Sequence, residues 1–217
     1  MCVSYPETLQ DRLQDLGDIP LSRIVMNPAP GLATTRDWLV MCESGRLHYE
    51  LIDGTLVEKS MGWLESLLGM LLGRWLGNYV AEHQLGVVTG ADGFTELFPE
   101  IVRGPDVAFV SWNRMPEGKL PTSPLPRLVP NFVIEVLSQG NTYGEMSRKR
   151  REYFQAGVEL VWMVDLRDRT ITVFFTSQQF EVVKQGERID ARPVLPGWTF
   201  DTADLFAILD QQPPSGA

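Results

Sequence analysis

Cysteine is nearly absent from these 217 residues: there are two, Cys2 and Cys42. Two exclude a disulfide framework and a four-cysteine zinc site, and they fit a reducing, cytoplasmic setting. Histidine is equally sparse, with His48 and His83 alone. Each reads as structural, and no Ser-His-Asp arrangement or Cys/His metal cluster emerges around them. Neither GxGxxG nor GxxxxGK[ST] occurs, which removes dinucleotide-binding and P-loop readings. Positive charge is in deficit too, 19 Lys and Arg against 28 Asp and Glu, for a net charge of −9. Bulk charge therefore does not mark a nucleic-acid binder; a polyanion would need a local basic patch or bound cations. The opening run MCVSYPETLQDRLQDLGD has no basic segment followed by an apolar one, so it does not read as a signal peptide. The most apolar stretch, WLESLLGMLLGRWLGNYV (63–80), is interrupted by Glu65 and Arg74. Charges near a bilayer centre are costly, so no membrane span is expected.

What is present suits a globular chain. Apolar residues make up 44%, enough for one domain over residues 1–210 with a core of its own. Helices within about 5–45 are expected to pack on it, and residues 211–217 read as a disordered tail. Tyr5 to Gly17 reads as a short helix. A second follows Thr34, whose hydroxyl and Asp37 form a capping box, and runs to about Glu43. His48–Ile52 and Thr55–Glu58 flank Asp53-Gly54, a strong hairpin signal. In 63–80 the residues Leu64, Leu67, Leu68, Leu71, Leu72, Trp75, Leu76 and Tyr79 recur at helical spacing. Gly69, Gly73 and Gly77 share one face of that helix, a stripe that predicts close approach of the sheet or of a second subunit in a homodimer. Strands are expected at 86–90, 94–98, 105–112, 132–137, 160–165 and 170–175, with a weaker one at 180–183. Helices are expected at 144–155 and 202–209, and a Pro-rich loop spans 113–130. The order helix, hairpin, helix, strands, helix, strands predicts an α/β fold: a mixed central sheet flanked by helices on both faces.

The sharpest anomaly is Glu135 in the strand FVIEVL (132–137). It alternates with Phe132, Ile134 and Val136 and shares a face with Val133 and Leu137. A carboxylate there must be paired, protonated, metal-bound or on an exposed edge. Asp106 stands at the start of the preceding long strand, 29 residues earlier. Alone it reads as a strand-start cap; with Glu135 on a neighbouring strand it can complete a pair of oxygen ligands for a hard cation. Lys149 lies on the helix that follows, one turn before Tyr153 and four residues after Glu145. It reads as a partner of the carboxylates or of Glu145. The run Arg148-Lys149-Arg150-Arg151 wraps most of a helical turn, so the four cannot all face one place. Arg148 and Arg151, with Arg103, are candidates for contact with a nucleic-acid backbone.

GPDVAFV (104–110), PNFVIEVLSQGNT (130–142), RKRREYFQAGVELVWMVD (148–165), VLPGW (194–198) and YELIDGTLVEKSMGWLES (49–66) together resemble the Uma2 family over about residues 19–207. That family belongs to the PD-(D/E)xK nuclease superfamily, so the resemblance implies a restriction-endonuclease-like fold and divalent-metal-dependent hydrolysis of DNA. It implies Asp106 and Glu135 as ligands of Mg²⁺ or Mn²⁺, with the Val136 carbonyl beside them, and Glu58 as an accessory acid. The superfamily lysine would fall at 137, where this chain has Leu137; the resemblance moves that role to Lys149. The alternative reading is a nuclease fold kept for binding or scaffolding without turnover.

Overall fold

The computed structural model describes residues 8–45 and 48–212. Cys2, the first residues of the expected 5–17 helix and residues 213–217 of the expected tail lie outside them. The chain begins with α1 (Leu9–Asp15) and α2 (Thr35–Glu43). Both are closed by capping boxes, Thr8 with Asp11 and Thr34 with Asp37. The hairpin follows as β1 (Tyr49–Ile52) and β2 (Thr55–Glu58), then α3 (Trp63–Glu82), β3 (Gly86–Gly90), β4 (Thr95–Phe98), β5 (Ile101–Arg103) and β6 (Val107–Ser111). The second half runs β7 (Phe132–Leu137), α4 (Tyr143–Ala156), β8 (Leu160–Asp165), β9 (Thr170–Phe174), β10 (Phe180–Lys184), β11 (Arg188–Ala191), β12 (Leu195–Asp201) and α5 (Thr202–Phe206). No helix among the described residues is long and apolar enough to cross a membrane.

The main sheet is mixed and six-stranded, in the order β10-β9-β8-β7-β6-β3. Only β7 and β8 are parallel, and α4 makes the crossover that a parallel pair needs. One face is covered by α3, whose Leu68, Leu72, Leu76 and Val80 recur every fourth residue and pack on Phe109, Phe132, Ile134 and Trp162. On the same side Trp198 of β12 stacks on Trp162 at 5.4 Å between centroids. The other face carries Val133, Val161, Met163 and Phe174 under Met146 and Tyr153 of α4. β7 is therefore buried on both faces, which is why it reads as an almost continuous apolar run.

The strands expected as one sheet are divided among three. β2-β1-β5-β4 form a separate four-stranded sheet and β11-β12 a two-stranded one. α2 seats Trp38 against Leu51 and Val102 of the four-stranded sheet and against Phe94, just before β4, and the Trp38 Nε1–H donates to the Tyr49 carbonyl at 2.6 Å. Leu16, Ile19 and Ile24 pack on Ile52 and Val57 of the hairpin. β5, β11 and β12 were not anticipated, being short or interrupted by Pro193, Pro196 and Gly197. The Pro-rich segment is pinned: Thr95 Oγ1 accepts from the Leu128 N–H at 3.1 Å and shares its proton between the carbonyls of Leu128 and Pro126, 2.7 and 2.9 Å away, and Leu125 and Leu128 are buried.

Candidate active site

β6 runs antiparallel to β7 with Val107 opposite Ile134. Asp106 thus sits just before β6 begins, where β7 continues beyond its partner. The Val136 N–H, left without a strand on that side, donates to Asp106 Oδ2 at 2.7 Å. A residue in a strand sends its N–H and C=O to the same side, so the Val136 carbonyl also faces the Asp106 side. The other oxygen of Asp106, Oδ1, lies 2.8 Å from Lys59 Nζ, which is itself shielded and 3.4 Å from the Ala91 carbonyl.

Glu135 points to the α4 side and is 3% exposed. The Tyr153 hydroxyl donates to its Oε1 at 2.5 Å, and Lys149 Nζ lies 3.1 Å from Oε2. Lys149 and Tyr153 reach one carboxylate because they are a turn apart on α4. Lys149 also lies 3.0 Å from Glu50 Oε1. Glu50 continues the network through Oε2, 2.7 Å from Arg103 Nη1. Arg103 in turn donates from Nε and Nη2 to Glu152 Oε2 at 2.8 and 2.5 Å. Glu152 Oε1 accepts from Arg148 Nε at 2.7 Å, and Arg148 is also paired with Asp53.

Charge is not balanced in this cluster. Asp106, Glu135, Glu50 and Glu152 face Lys59, Lys149 and Arg103, while Arg148 is offset by Asp53. The surplus negative charge falls on Glu135. Burial raises its pKa, Lys149 opposes that rise, and the nearby charge of Asp106 adds to it, leaving the carboxyl at about 7. Burial acts on Glu50 in the same sense, but Lys149 and Arg103 outweigh it and hold that carboxyl at about 2. Lys149 is kept protonated: burial works against its charge, and Glu135 and Glu50 more than compensate. The Tyr153 hydroxyl is pushed well up by burial and by Glu135, so it serves as a donor.

The sequence-predicted residues divide clearly. Asp106, Glu135, Val136 and Lys149 come together. Lys149 is not the solvated partner of Glu145; Glu145 binds Arg23 instead, at 2.7 Å. Glu58 is exposed and does not join the cluster. In the hairpin register Glu50 opposes Val57 and Tyr49 opposes Glu58, so Glu58 projects from the face opposite Glu50. The acid this hairpin contributes is Glu50. Arg103 is fully buried between two carboxylates, so it is not available to a nucleic-acid backbone. Arg148 is spent on Glu152 and Asp53, and only Arg151 of the three is exposed. Sequence reasoning missed Glu50 and Lys59. Their signal was position: Glu50, Val57 and Lys59 share a hairpin face by strand alternation.

A second approach to Asp106 lies between α3 and the edge strand β3. There a groove of about 560 Å³ is lined by Glu65, Gly69, Gly73, Arg74 and Gly77 on the helix side and by Asp106 and Val107 at its floor. The glycine stripe does not bring backbones into close contact. A Cβ at Gly69 would stand 3.8 Å from the Asp106 Cβ, one at Gly73 would stand 3.7 Å from Val107, and one at Gly77 would meet nothing within 4 Å. Within this chain the stripe borders the groove beside Asp106.

The donor set suits a hard divalent cation. Two carboxylates and a peptide carbonyl are oxygen ligands of the kind Mg²⁺ takes together with waters, and the surplus negative charge favours a cation. Among the described residues no three His, Cys, Asp or Glu side chains converge as a ligand group. An ion here would rest on two carboxylates and retain waters, after Asp106 leaves Lys59.

The family model described as "Uma2: Putative restriction endonuclease" matches residues 36–203. A solved structure, "a putative nuclease belonging to DUF820 from Anabaena variabilis", shares the fold with a TM-score of 0.66 at 19% identity. The match covers 74% of this chain and 90% of that one. No curated protein matches the chain in sequence.

Proposed function

We propose that this chain, which belongs to the Uma2 family, is a divalent-metal-dependent endonuclease that hydrolyses DNA phosphodiester bonds. The family and the shared fold support a nuclease. The observation that carries the finer reading is the meeting of Asp106, the Val136 peptide and Glu135 at the end of β7, with Lys149 on the Glu135 carboxylate. Asp106 and Glu135 would hold Mg²⁺ or Mn²⁺, with the Val136 carbonyl beside them. When bound, such a cation supplies positive charge that activates a water and offsets charge building on the phosphate. Lys149 keeps Glu135 in place and brings a fixed positive charge to the same point, and Tyr153 fixes the second oxygen of Glu135. Lys59, shielded beside Asp106, would bring a second ammonium to the same site, able to pair with a substrate phosphate once parted from Asp106.

The test is plasmid cleavage with Mg²⁺ or Mn²⁺ alongside calorimetric Mn²⁺ titration. Asp106→Asn and Glu135→Gln should each lower cleavage by about a hundredfold or more and abolish the Mn²⁺ heat. Equal cleavage by wild type and both variants would sink the assignment. One observation favours a second reading, a nuclease fold that binds without turnover: Asp106 is already neutralised by Lys59 within the chain. That reading predicts no Mn²⁺ heat in the wild type, or heat with no cleavage.

A further inference from the structure

The four basic residues of α4 are sent in four directions. Lys149 faces Glu135 and Glu50, Arg148 faces Glu152 and Asp53, and Arg151 faces solvent. Arg150 turns back over the sheet, with its Cζ 4.4 Å from the Phe174 ring centroid. Unlike Lys149 and Arg148 it has no carboxylate within ion-pair distance among the described residues. Its Nη2 makes a long 3.3 Å contact to Ser147 Oγ, and its Nε is buried with no acceptor. Burial lowers its pKa. A partly buried guanidinium with no counter-ion is costly unless an anion is supplied.

Arg150 lines a cavity of about 330 Å³ on the α4 side of the sheet, at the carboxyl ends of the parallel pair β7 and β8. That volume lies in the range of small-ligand sites. Its apolar wall is Leu137, Met146, Met163 and Phe174, and Arg167 also lines it. Arg167 is exposed and likewise has no carboxylate within ion-pair distance among the described residues. Asp165 lines the cavity too, but its Oδ1 accepts from the backbone N–H groups of Arg167 and Asp168. The cavity lies one strand repeat from the candidate active site, because Leu137 and Glu135 share a face of β7.

We propose that this cavity is a nucleotide site, taking a phosphate on Arg150 and Arg167 and a base against Leu137, Met146 and Met163. The choice of a nucleotide over other organic phosphates rests on the nuclease reading; the anion site itself does not. The nucleotide can come from two sources, one residue of a nucleic-acid strand or a free mononucleotide.

Binding is measured in EDTA, so that no cleavage intervenes. A labelled single-stranded oligonucleotide is followed by fluorescence anisotropy and dAMP by calorimetry, on the full chain and on Arg150→Gln, Arg167→Gln and Arg36→Gln. Arg36 is exposed on α2 and controls for loss of one positive charge. Arg150→Gln and Arg167→Gln should each weaken oligonucleotide binding by about tenfold, and Arg36→Gln by less than about twofold. Arginine-dependent dAMP heat identifies a free-mononucleotide site; arginine-dependent oligonucleotide binding without dAMP heat identifies a strand site. If both cavity variants bind both ligands as Arg36→Gln does, the proposal is overturned. Should Arg150→Gln unfold, the exposed Arg167 carries the test. Loss of metal-dependent cleavage with arginine-dependent binding intact would count against the nuclease reading and leave this site standing.

Discussion

Arg103 is 0% exposed and stands between Glu50 and Glu152. A cation so placed does not contact substrate; it lets two acids be buried beside Lys149. Arg103→Met should cost about 3–5 kcal/mol, because Glu50 loses one of its two cations and Glu152 keeps Arg148 alone. Urea unfolding at neutral pH reads that loss, and a change under about 1 kcal/mol would contradict the network. Glu50 gives the same network a pH signature. Its carboxyl is depressed from 4.5 in the unfolded chain to about 2 in the fold. A depressed carboxyl contributes stability above its unfolded pKa and loses it as pH falls through the folded one. The stability gap between wild type and Glu50→Gln should therefore be full above pH 4.5 and shrink toward pH 2. Melting temperatures across that window check it; a constant gap would mean that Glu50 is not ionised there.

At the scale of elements, the glycines of α3 differ among themselves: Gly69 and Gly73 face Asp106 and Val107 at ordinary contact distance, while Gly77 meets nothing within this chain. A glycine stripe normally repays its cost in helix propensity by letting another backbone approach, yet here the stripe borders the groove leading to Asp106. Gly77 has nothing within 4 Å of where a Cβ would stand. Gly77→Ala should accordingly raise stability by about 0.5–1 kcal/mol. Gly144 in α4 is the opposite case. A Cβ there would stand 2.7 Å from the Gly17 carbonyl oxygen, so Gly144→Ala should cost about 1–3 kcal/mol. Chemical denaturation of the two variants side by side tests the contrast, which vanishes if both shift in the same direction.

Across the whole molecule, the first described residues act as a clamp although they precede the family-matched span 36–203. Arg23 donates to both oxygens of Glu145 at 2.9 and 2.7 Å, to the Gly140 carbonyl at 2.9 Å and to the Glu58 carbonyl at 2.8 Å. Thr142 Oγ1 donates to the Gly17 carbonyl, and Arg148 Nη1 to that of Asp15. One arginine thus ties the hairpin to the start of α4, the two elements that supply Glu50, Lys59 and Lys149. Arg23→Ala should cost about 3 kcal/mol or more by leaving Glu145 buried without its partner. It should also lower any metal-dependent cleavage without touching Asp106. A variant with wild-type urea stability would remove the clamp from the account.

Local periodicity carried much of this protein. The alternation in β7 exposed Glu135 as the acid out of place, helical spacing marked α3 from Trp63, and Asp53-Gly54 and the Thr34–Asp37 box marked a turn and a helix start. These patterns depend on neighbours within a few residues, so the chain determines them by itself. What only the tertiary structure decided is partnership. Alternation puts Glu50 and Glu58 on opposite hairpin faces, but nothing local tells which face turns inward, or which of Arg148, Lys149, Arg150 and Arg151 does. The same limit hid the short strand β5 and the division into three sheets. Each choice is made by burial and counter-charge between residues 14 to 117 positions apart, where desolvation penalises every arrangement that leaves a charge unmatched.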